Sequence, residues 1–263
     1  MTSPAVRFSL DGHVGTITLD RPVNRNSMTP ELLDAFAAAV AAARAARDLR
    51  CLIVTGTGPC FSAGADFKSV LQRDGDGPAR LPHEQSFAMY QPFLSLLEVE
   101  VPVVAALNGH AVGGGFGLAL CCDLRVAARD ARYGANFARL GLHPGMAISY
   151  LLPRLVGVAR AAELLFTGRL VDGVEAERIG LVGSVHPADE VLARARELAD
   201  AIAASAPLAV RETKRSLYRG LGWEPRAAAY AEAFAQAESL TTADAAEGIA
   251  ALLAKRAPVF TGR

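Results

Sequence analysis

The sequence predicts an α/β protein with a mostly parallel β-sheet, and three observations support this fold class. Two short apolar runs flank the turn Asp11-Gly12-His13, a pattern typical of an opening β-hairpin. Downstream, the order strand, glycine turn, helix recurs, which favours right-handed βαβ units. The last third of the chain is rich in alanine and predicted to be helical. The predicted strands are residues 6–10, 14–19, 51–55, 103–107 and 124–128, with a further short strand at 182–185.

Sequence patterns typical of helices occur between these strands and in the C-terminal third of the chain. Thr29 is a typical N-cap residue followed by proline, and the apolar spacing after it predicts a helix from residue 30 to about 48. A second helix is expected at about 83–98, after a polar loop over residues 71–82. A third helix is expected to begin near Gly114. In the C-terminal third, Pro187, Pro207 and Pro225 lie near predicted helix starts.

Composition limits the possible partners. The chain has 263 residues, 51% of them hydrophobic, and a formal net charge of +0, so we expect a sizeable core and binding to neither nucleic acid nor membranes. The four cysteines lie in apolar runs without metal-ligand spacing, which predicts buried, reduced thiols, no metal site and a cytoplasmic protein. The N-terminal residues show no targeting pattern, and no apolar run reaches the ~20 residues of a membrane helix.

Two glycine-rich segments carry the strongest functional signal. The first is Phe61-Ser62-Ala63-Gly64-Ala65-Asp66, and the second runs from Asn108 through the triple glycine at 113–115 to residue 117. Glycine leaves the backbone open, so such a pair can present two N–H donors to the oxygen of a thioester carbonyl as it becomes an anion. The alternative interpretation is that the triple glycine only allows tight packing of helix and strand.

Together with the motifs that follow them, these segments resemble the crotonase (enoyl-CoA hydratase/isomerase) superfamily. The resemblance covers nearly the whole chain and implies a crotonase-like ββα spiral core over residues 1–200 with a C-terminal helical trimerisation layer over 201–263. It also implies an acyl-CoA thioester substrate, no permanently bound cofactor apart from coenzyme A as part of the substrate, and a homotrimer or dimer of trimers. The further motifs are Cys122-Asp123-Leu124-Arg125, Gly141-Leu142-His143-Pro144-Gly145, residues 152–157, Thr167-Gly168-Arg169 and the end of the chain from Lys255.

The resemblance assigns roles to particular residues. It implies that the N–H groups of Ala65 and Gly114 hold the thioester oxygen. For the coenzyme A moiety it points to Arg25, Lys68 and Lys255 as cationic contacts to phosphates, and to Ala63 and Asp66 as residues lining the adenine loop.

The usual acids of this superfamily are missing. Hydratases place glutamates at the positions that are Gly117 and Phe137 here, and dienoyl isomerases place an aspartate where this chain has Gly145. Hydration needs a base to activate water and an acid to protonate carbon, and neither replacement supplies one. His143 is the candidate replacement base, and the alternative is a loop histidine that caps the following turn. Weaker candidates in the same region are Tyr133, Arg139, His83 and Glu84.

Two functional hypotheses follow. The first is an acyl-CoA enzyme that stabilises a thioester enolate and takes its acids from elsewhere in the pocket. The second is a protein that binds acyl-CoA without turnover. Phe116 and Phe137 indicate an apolar acyl pocket in either case. Two residues are expected to have structural roles: Glu84 stabilises a helix start, and Asp123 forms structural hydrogen bonds. We expect subunit contacts at four apolar positions of the C-terminal helices, Ala228, Phe234, Ile249 and Leu252.

Overall fold

The computed structural model describes residues 4–65 and 81–263 of the chain, with the side chain of Pro82 left aside. Its main sheet has the strand order β1-β2-β3-β5-β7-β9, in which β1 pairs antiparallel with β2 and every other pair is parallel. This confirms the predicted hairpin and parallel sheet. The strands are β1 Val6–Asp11, β2 Val14–Leu19, β3 Cys51–Gly56, β4 Cys60–Ser62, β5 Val103–Leu107, β6 His110–Val112, β7 Leu124–Ala128, β8 Tyr133–Gly134 and β9 Ser184–His186.

A second, smaller parallel sheet has the order β4-β6-β8. Each of its strands follows a strand of the main sheet after a short turn, so the chain makes a strand, a turn and a second strand before the next helix. The sequence prediction contains none of these strands, because segments of two or three residues are too short to show a period. The small sheet matters for function, since both glycine-rich segments continue directly from β4 and β6.

The helices follow the predicted order with small shifts. The first begins at proline after Thr29, whose hydroxyl accepts from the Leu32 N–H at 3.3 Å, and it ends before the predicted residue 48. The predicted helix at 83–98 divides into an α-helix and a 3₁₀ turn, Ser95–Glu98. The helices are α1 Pro30–Ala45, α2 Pro82–Leu94, α3 Gly114–Leu120, α4 Ile148–Val156, α5 Val158–Thr167, α6 Gly173–Arg178, α7 Val191–Ala203, α8 Pro207–Gly220, α9 Pro225–Leu240 and α10 Ala243–Leu253.

The core lies where the main sheet packs against α1 and α7. All four cysteines are buried and free, as predicted. Burial raises the pKa of the Cys51 and Cys121 thiols to about 12, with the Asp123 carboxylate adding to the effect at Cys51. These thiols are therefore neutral at pH 7. Among residues 4–65 and 81–263, no three His, Cys, Asp or Glu side chains group in a way that could hold a metal ion.

Two side chains near the sheet have structural roles. Asp123 accepts from the Val103 N–H and from the Lys214 ammonium group, both at 2.7 Å, which confirms the expected structural role. Tyr133 corrects an expectation, because it is fully buried and donates its hydroxyl to the Ala128 carbonyl at 2.8 Å rather than facing the acyl pocket. Burial raises the pKa of this phenol well above its ordinary value.

The C-terminal helices leave large apolar side chains in solvent. Phe234 is 60% exposed and Leu252 is 77% exposed. The final residues fold back onto α10, where the buried Asp244 carboxylate accepts the N–H groups of Thr261 at 2.7 Å and Gly262 at 2.8 Å. Neither α10 nor any other helix that the structure describes combines the length and apolar character needed to cross a bilayer.

Candidate active site

The first glycine-rich segment is anchored by one buried asparagine. Asn26 has a left-handed backbone, with φ of 53°, and its side chain is inaccessible to solvent. Its carboxamide oxygen accepts from the Arg21 N–H at 2.8 Å. Its nitrogen donates to three carbonyl oxygens, those of Thr57 at 3.1 Å, Cys60 at 2.9 Å and Phe61 at 3.1 Å. Four hydrogen bonds on one amide therefore set the path of the backbone into the segment.

Backbone pairing then orients the segment and leaves one amide without a partner. Ala63 donates to the Arg25 carbonyl at 3.0 Å, and the Gly64 carbonyl accepts from Met28 at 2.8 Å. Ala65 lies opposite Met28 in a parallel bridge, but its own N–H donates to no described residue. An amide that is not paired within the protein is available to a ligand oxygen.

The second glycine-rich segment also ends in an unpaired amide. Gly113 donates to the Gly134 carbonyl at 3.0 Å and has φ of 57°, which reverses the chain after β6. Helix α3 begins at the next residue, and no side chain caps it. The N–H of Gly114 therefore donates to no described residue, as expected for the first turn of a helix.

The two segments meet at their glycines. Gly64 has φ of 80°, and a Cβ added there would lie 2.7 Å from the Gly114 nitrogen. A Cβ added to Gly114 would lie 3.6 Å from the Gly64 Cα and would overlap the Met28 sulfur. Both positions thus need glycine for close approach of the backbones. The approach brings the segment of Ala65 against the start of α3, so two unpaired amides belong to adjoining pieces of backbone.

Apolar side chains border Gly117 and Phe137, the two positions at which the family resemblance implies acids. Gly117, in the first turn of α3, has no room for a side chain, because a Cβ there would overlap the Cβ of Met146. Met146 is buried and has a left-handed φ of 58°. Phe137 is partly buried, and its ring carbons would lie 3.8 and 3.9 Å from a Cβ on Gly113. Met146 and Phe137 therefore occupy the region around the start of α3 where the family resemblance implies carboxylates.

Two neutral polar side chains lie in the same region, and the sequence analysis did not predict a role for either of them. The Asn136 carboxamide oxygen would be 3.8 Å from a Cβ on Gly113, and the Tyr90 hydroxyl lies against Gly145, where a Cβ would overlap it. Neither side chain forms a hydrogen bond with a described residue. Tyr90 could not be identified as a site residue from sequence spacing, because its contact with Gly145 arises from the packing of α2 and joins residues far apart in the chain.

The other predicted acid–base residues have differing surroundings. His143 is exposed in the loop before α4, and among the described residues it has no hydrogen-bond partner through which to cap a turn. Its role as a base stays a prediction. Glu84 accepts from the Leu81 N–H at 3.0 Å, so it stabilises the start of α2 as expected. Arg139 is exposed and donates to the Thr167 carbonyl at 2.9 Å. Phe116 is buried in the core, unlike the partly exposed Phe137.

The residues predicted to bind coenzyme A are only partly brought together. Arg25 and Ala63 are hydrogen-bonded neighbours, and the Arg25 side chain is exposed beside the first segment. Burial raises the pKa of the adjacent Cys60 thiol, an effect that the Arg25 charge partly offsets, so this thiol is not ionised at pH 7. Asp66 and Lys68 lie outside the described residues. Lys255 is exposed at the end of α10, where its backbone N–H donates to Leu252 of the same helix.

Comparisons with known proteins agree with this fold. Residues 10–263 match the family described as "Enoyl-CoA hydratase/isomerase". The chain is 37% identical, over the full length of both proteins, to the "Probable enoyl-CoA hydratase echA8" of Mycobacterium bovis. It is similar to the crystal structure of an enoyl-CoA hydratase from Bacillus anthracis, with a TM-score of 0.91 and 32% identity over 98% of this chain and 100% of that one. DspI of Pseudomonas aeruginosa is similar with a TM-score of 0.89 and 31% identity, covering 98% and 97% of the two chains.

Proposed function

Because the chain belongs to the enoyl-CoA hydratase/isomerase family and has the crotonase fold, we propose that it is an acyl-CoA thioester enzyme. In this proposal the N–H groups of Ala65 and Gly114 hold the thioester oxygen while an enolate forms. The observation that carries it is the meeting of two unpaired amides where Gly64 approaches Gly114. One such donor typically contributes ~3–4 kcal/mol of transition-state stabilisation.

Coenzyme A is proposed to enter only as part of the substrate. The exposed Arg25 side chain, beside Ala63 and the first glycine-rich segment, supports a phosphate contact there. The same contact role is proposed for Lys255 and Lys68, and an adenine-lining role for Ala63 and Asp66, on the family resemblance. Guanidinium and ammonium groups form charge-assisted hydrogen bonds with phosphate oxygens. Because these are local interactions, a protein with a net charge near zero can still bind the phosphates of coenzyme A.

The proposed reaction is not hydration by two carboxylates. Activation of water needs a base and protonation of carbon needs an acid, each contributing ~10²–10⁴ in rate. Gly117 carries no side chain and Phe137 cannot transfer a proton. A lyase or isomerase reaction through the same enolate is left, with His143 as the proposed base. The imidazole is exposed in the loop before α4, and histidine is a common general base in enzymes.

A second candidate function is acyl-CoA binding without turnover. The observation that favours it is the apolar filling around α3, where Met146 leaves no space for a side chain at Gly117 and Phe137 borders Gly113. Such a protein would keep the amide donors and the apolar pocket while lacking any group that moves a proton. Both candidate functions predict binding of acyl-CoA, and only the first predicts turnover of a thioester.

The test uses butyryl-CoA labelled with ¹³C at the thioester carbonyl. Polarisation by two N–H donors moves the carbonyl resonance downfield on binding, and this is the expected result. Binding without a shift would contradict the role of Ala65 and Gly114. In parallel, crotonyl-CoA is followed by its conjugated-enoyl absorbance, which we expect to persist. Rapid loss of that absorbance would overturn the proposal that ordinary hydration is absent, and turnover of any other thioester would exclude the second candidate.

We also propose that the chain assembles as a homotrimer or a dimer of trimers through its region 201–263. The support is the exposed apolar surface of α9 and α10, including Phe234 at 60% and Leu252 at 77% exposure, because large exposed apolar side chains mark association surfaces. Sedimentation equilibrium measures the assembly. A monomer at micromolar concentration would contradict this proposal without bearing on the acyl-CoA site.

A further inference from the structure

Tyr90 lies on the face of α2 that packs toward the candidate site. Helix α2 contacts both α1 and α3, and Tyr90 is partly buried against the core. The edge of its ring runs along Gly145: a Cβ added to that glycine would overlap the hydroxyl oxygen, and would lie 2.6 Å from Cζ and 3.1 Å from Cε1. The phenol hydroxyl therefore lies so close to Gly145 that it leaves no room for a side chain at that position.

Gly145 is close to the proposed reacting centre through a short series of contacts. The next residue, Met146, packs on Gly117, and Gly117 donates its N–H to the Gly113 carbonyl at 3.0 Å in the first turn of α3. The same turn begins with Gly114, whose amide is proposed to hold the thioester oxygen. An acyl chain that extended from the thioester carbonyl along α3 would therefore approach Met146 and Gly145, and so Tyr90.

The Tyr90 hydroxyl has no hydrogen-bond partner among residues 4–65 and 81–263. Partly buried tyrosines usually pair their hydroxyl, because an unpaired polar group loses the hydrogen bonds it had in water. In a pocket lined mainly by apolar side chains, the few oriented polar groups determine which ligand is preferred, and those near the start of α3 are Tyr90 and Asn136. A free phenol hydroxyl beside a glycine is thus suited to receive an oxygen atom of a ligand.

We propose that Tyr90 selects acyl-CoA substrates that carry an oxygen atom on the acyl chain, beyond the thioester, by donating its hydroxyl hydrogen to that atom. Hydroxyacyl and oxoacyl thioesters are the substrate class, and unsubstituted alkyl thioesters are disfavoured because they leave the phenol unpaired. The inference rests on the proposed function, since it requires the thioester to lie at Ala65 and Gly114. It differs from the known use of carboxylates in the family, because the group is neutral and comes from α2.

The test is a calorimetric comparison of butyryl-CoA with 3-hydroxybutyryl-CoA and 4-hydroxybutyryl-CoA. For the wild-type protein we expect at least one hydroxylated thioester to bind about tenfold more tightly than butyryl-CoA, the gain typical of one hydrogen bond to a buried partner. In Tyr90→Phe the ring and its packing stay, and we expect this preference to disappear while butyryl-CoA binding stays within about twofold. Chromatography of the ligand after the titration verifies that it was not converted.

Tyr150→Phe is the matched control, because Tyr150 is 58% exposed and stacks under the Arg154 guanidinium outside the site. It should keep the wild-type preference. Equal affinity of all three thioesters for the wild type, or an unchanged preference in Tyr90→Phe, would overturn the role of Tyr90 while leaving the acyl-CoA site intact. Failure of butyryl-CoA itself to bind the wild type would contradict the proposed function, and with it this inference.

Discussion

The two ends of the candidate site are built differently. We call the region of Ala65 and Gly114 the amide end and the region of Gly117 and Phe137 the acid end. At the amide end, the hydrogen bonds of Asn26 anchor the first glycine-rich segment, and close backbone approach brings Gly64, which precedes Ala65, against Gly114. At the acid end, Gly117 has no space for a side chain and Phe137 borders the start of α3. The structure of the amide end depends on a close backbone approach that allows only glycine at positions 64 and 114, whereas the structure of the acid end depends on which side chains are present.

This difference indicates how a site of this family can change its chemistry. Removing the amide donors requires rebuilding a loop and a helix start. Changing the group at position 117 requires only a new side chain there and a different neighbour, since Met146 fills the space beside Gly117. We therefore expect binding of the thioester to be robust and the proton transfer to be the variable part. Tyr90 and Asn136 are the neutral polar groups at the acid end.

The largest effect is expected when the Gly114 amide is removed. Gly114→Pro deletes the N–H at the first helical position, where proline is tolerated, and Met28→Ala makes room for the added atoms. We expect Met28→Ala/Gly114→Pro to lose ~10²–10³ in the rate of whichever thioester the enzyme turns over. The control is Met28→Ala/Gly114→Ala, which adds a Cβ but keeps the donor. Equal rates in the two double variants would show that this amide has no catalytic role.

A smaller effect is expected from Asn26→Ala. This substitution leaves the carbonyls of Thr57, Cys60 and Phe61 without their shared donor in the interior. Because each unsatisfied buried group costs ~1–3 kcal/mol and the backbone relaxes in part, we expect a loss of about 3 kcal/mol in the free energy of unfolding. Urea titration measures it. Thr18→Ala, on the opening hairpin, is the comparison, and an equal loss there would contradict a special role for Asn26.

At the acid end, introducing a carboxylate at position 117 should by itself destabilise the protein. Gly117→Glu places a Cβ onto Met146, and overpacking of this kind typically costs ~1–3 kcal/mol. Met146→Gly removes the obstacle and also suits the left-handed φ of 58° at that position. Because Met146 is buried, its truncation also costs stability, so the informative quantity is the coupling between the two changes. We expect Gly117→Glu/Met146→Gly to lose less stability in thermal unfolding than the sum of the two single losses, and additive losses would mean that Met146 is not what excludes the carboxylate.

The smallest effect concerns pH. Burial raises the pKa of Cys51 and Cys121 to about 12, so the folded protein keeps these thiols protonated at pH 9, where the unfolded chain begins to ionise them. Folded groups with raised pKa values stabilise below the unfolded pKa, and this contribution is lost as the pH rises toward 12. Between pH 8 and 9 we expect a loss of roughly 0.4 kcal/mol for each thiol.

The amide end of the site and the buried thiols of the core should respond differently to the same pH change. Backbone amides do not titrate, so the carbonyl shift of bound ¹³C-butyryl-CoA should stay constant between pH 8 and 9 while the free energy of unfolding falls. Replacing Cys51 by alanine should reduce the pH dependence of unfolding. If that variant loses stability with pH as steeply as the wild type does, Cys51 ionisation is not responsible.

Much of the fold could be predicted from local patterns. The apolar alternation around Asp11-Gly12-His13, the Thr29 cap and the repeated strand and helix order led to the observed hairpin, α1 and parallel sheet. The short strands of the small sheet could not be found in this way. Tyr133 was wrongly predicted to lie near the acyl pocket. Its closeness to Phe137 in the sequence does not determine where its side chain points, and in the structure the side chain is fully buried.

The sequence by itself determined the family, the two glycine-rich segments and the presence of Gly117 and Phe137 where the family resemblance implies acids, because these are properties of residue type and order along the chain. Only the tertiary structure decided that Met146 fills the space at Gly117 and that Tyr90 reaches Gly145. Those contacts join residues that are distant in the chain. Their geometry depends on how helices pack, and a packing contact between α2 and the loop before α4 leaves no periodic signal in either segment.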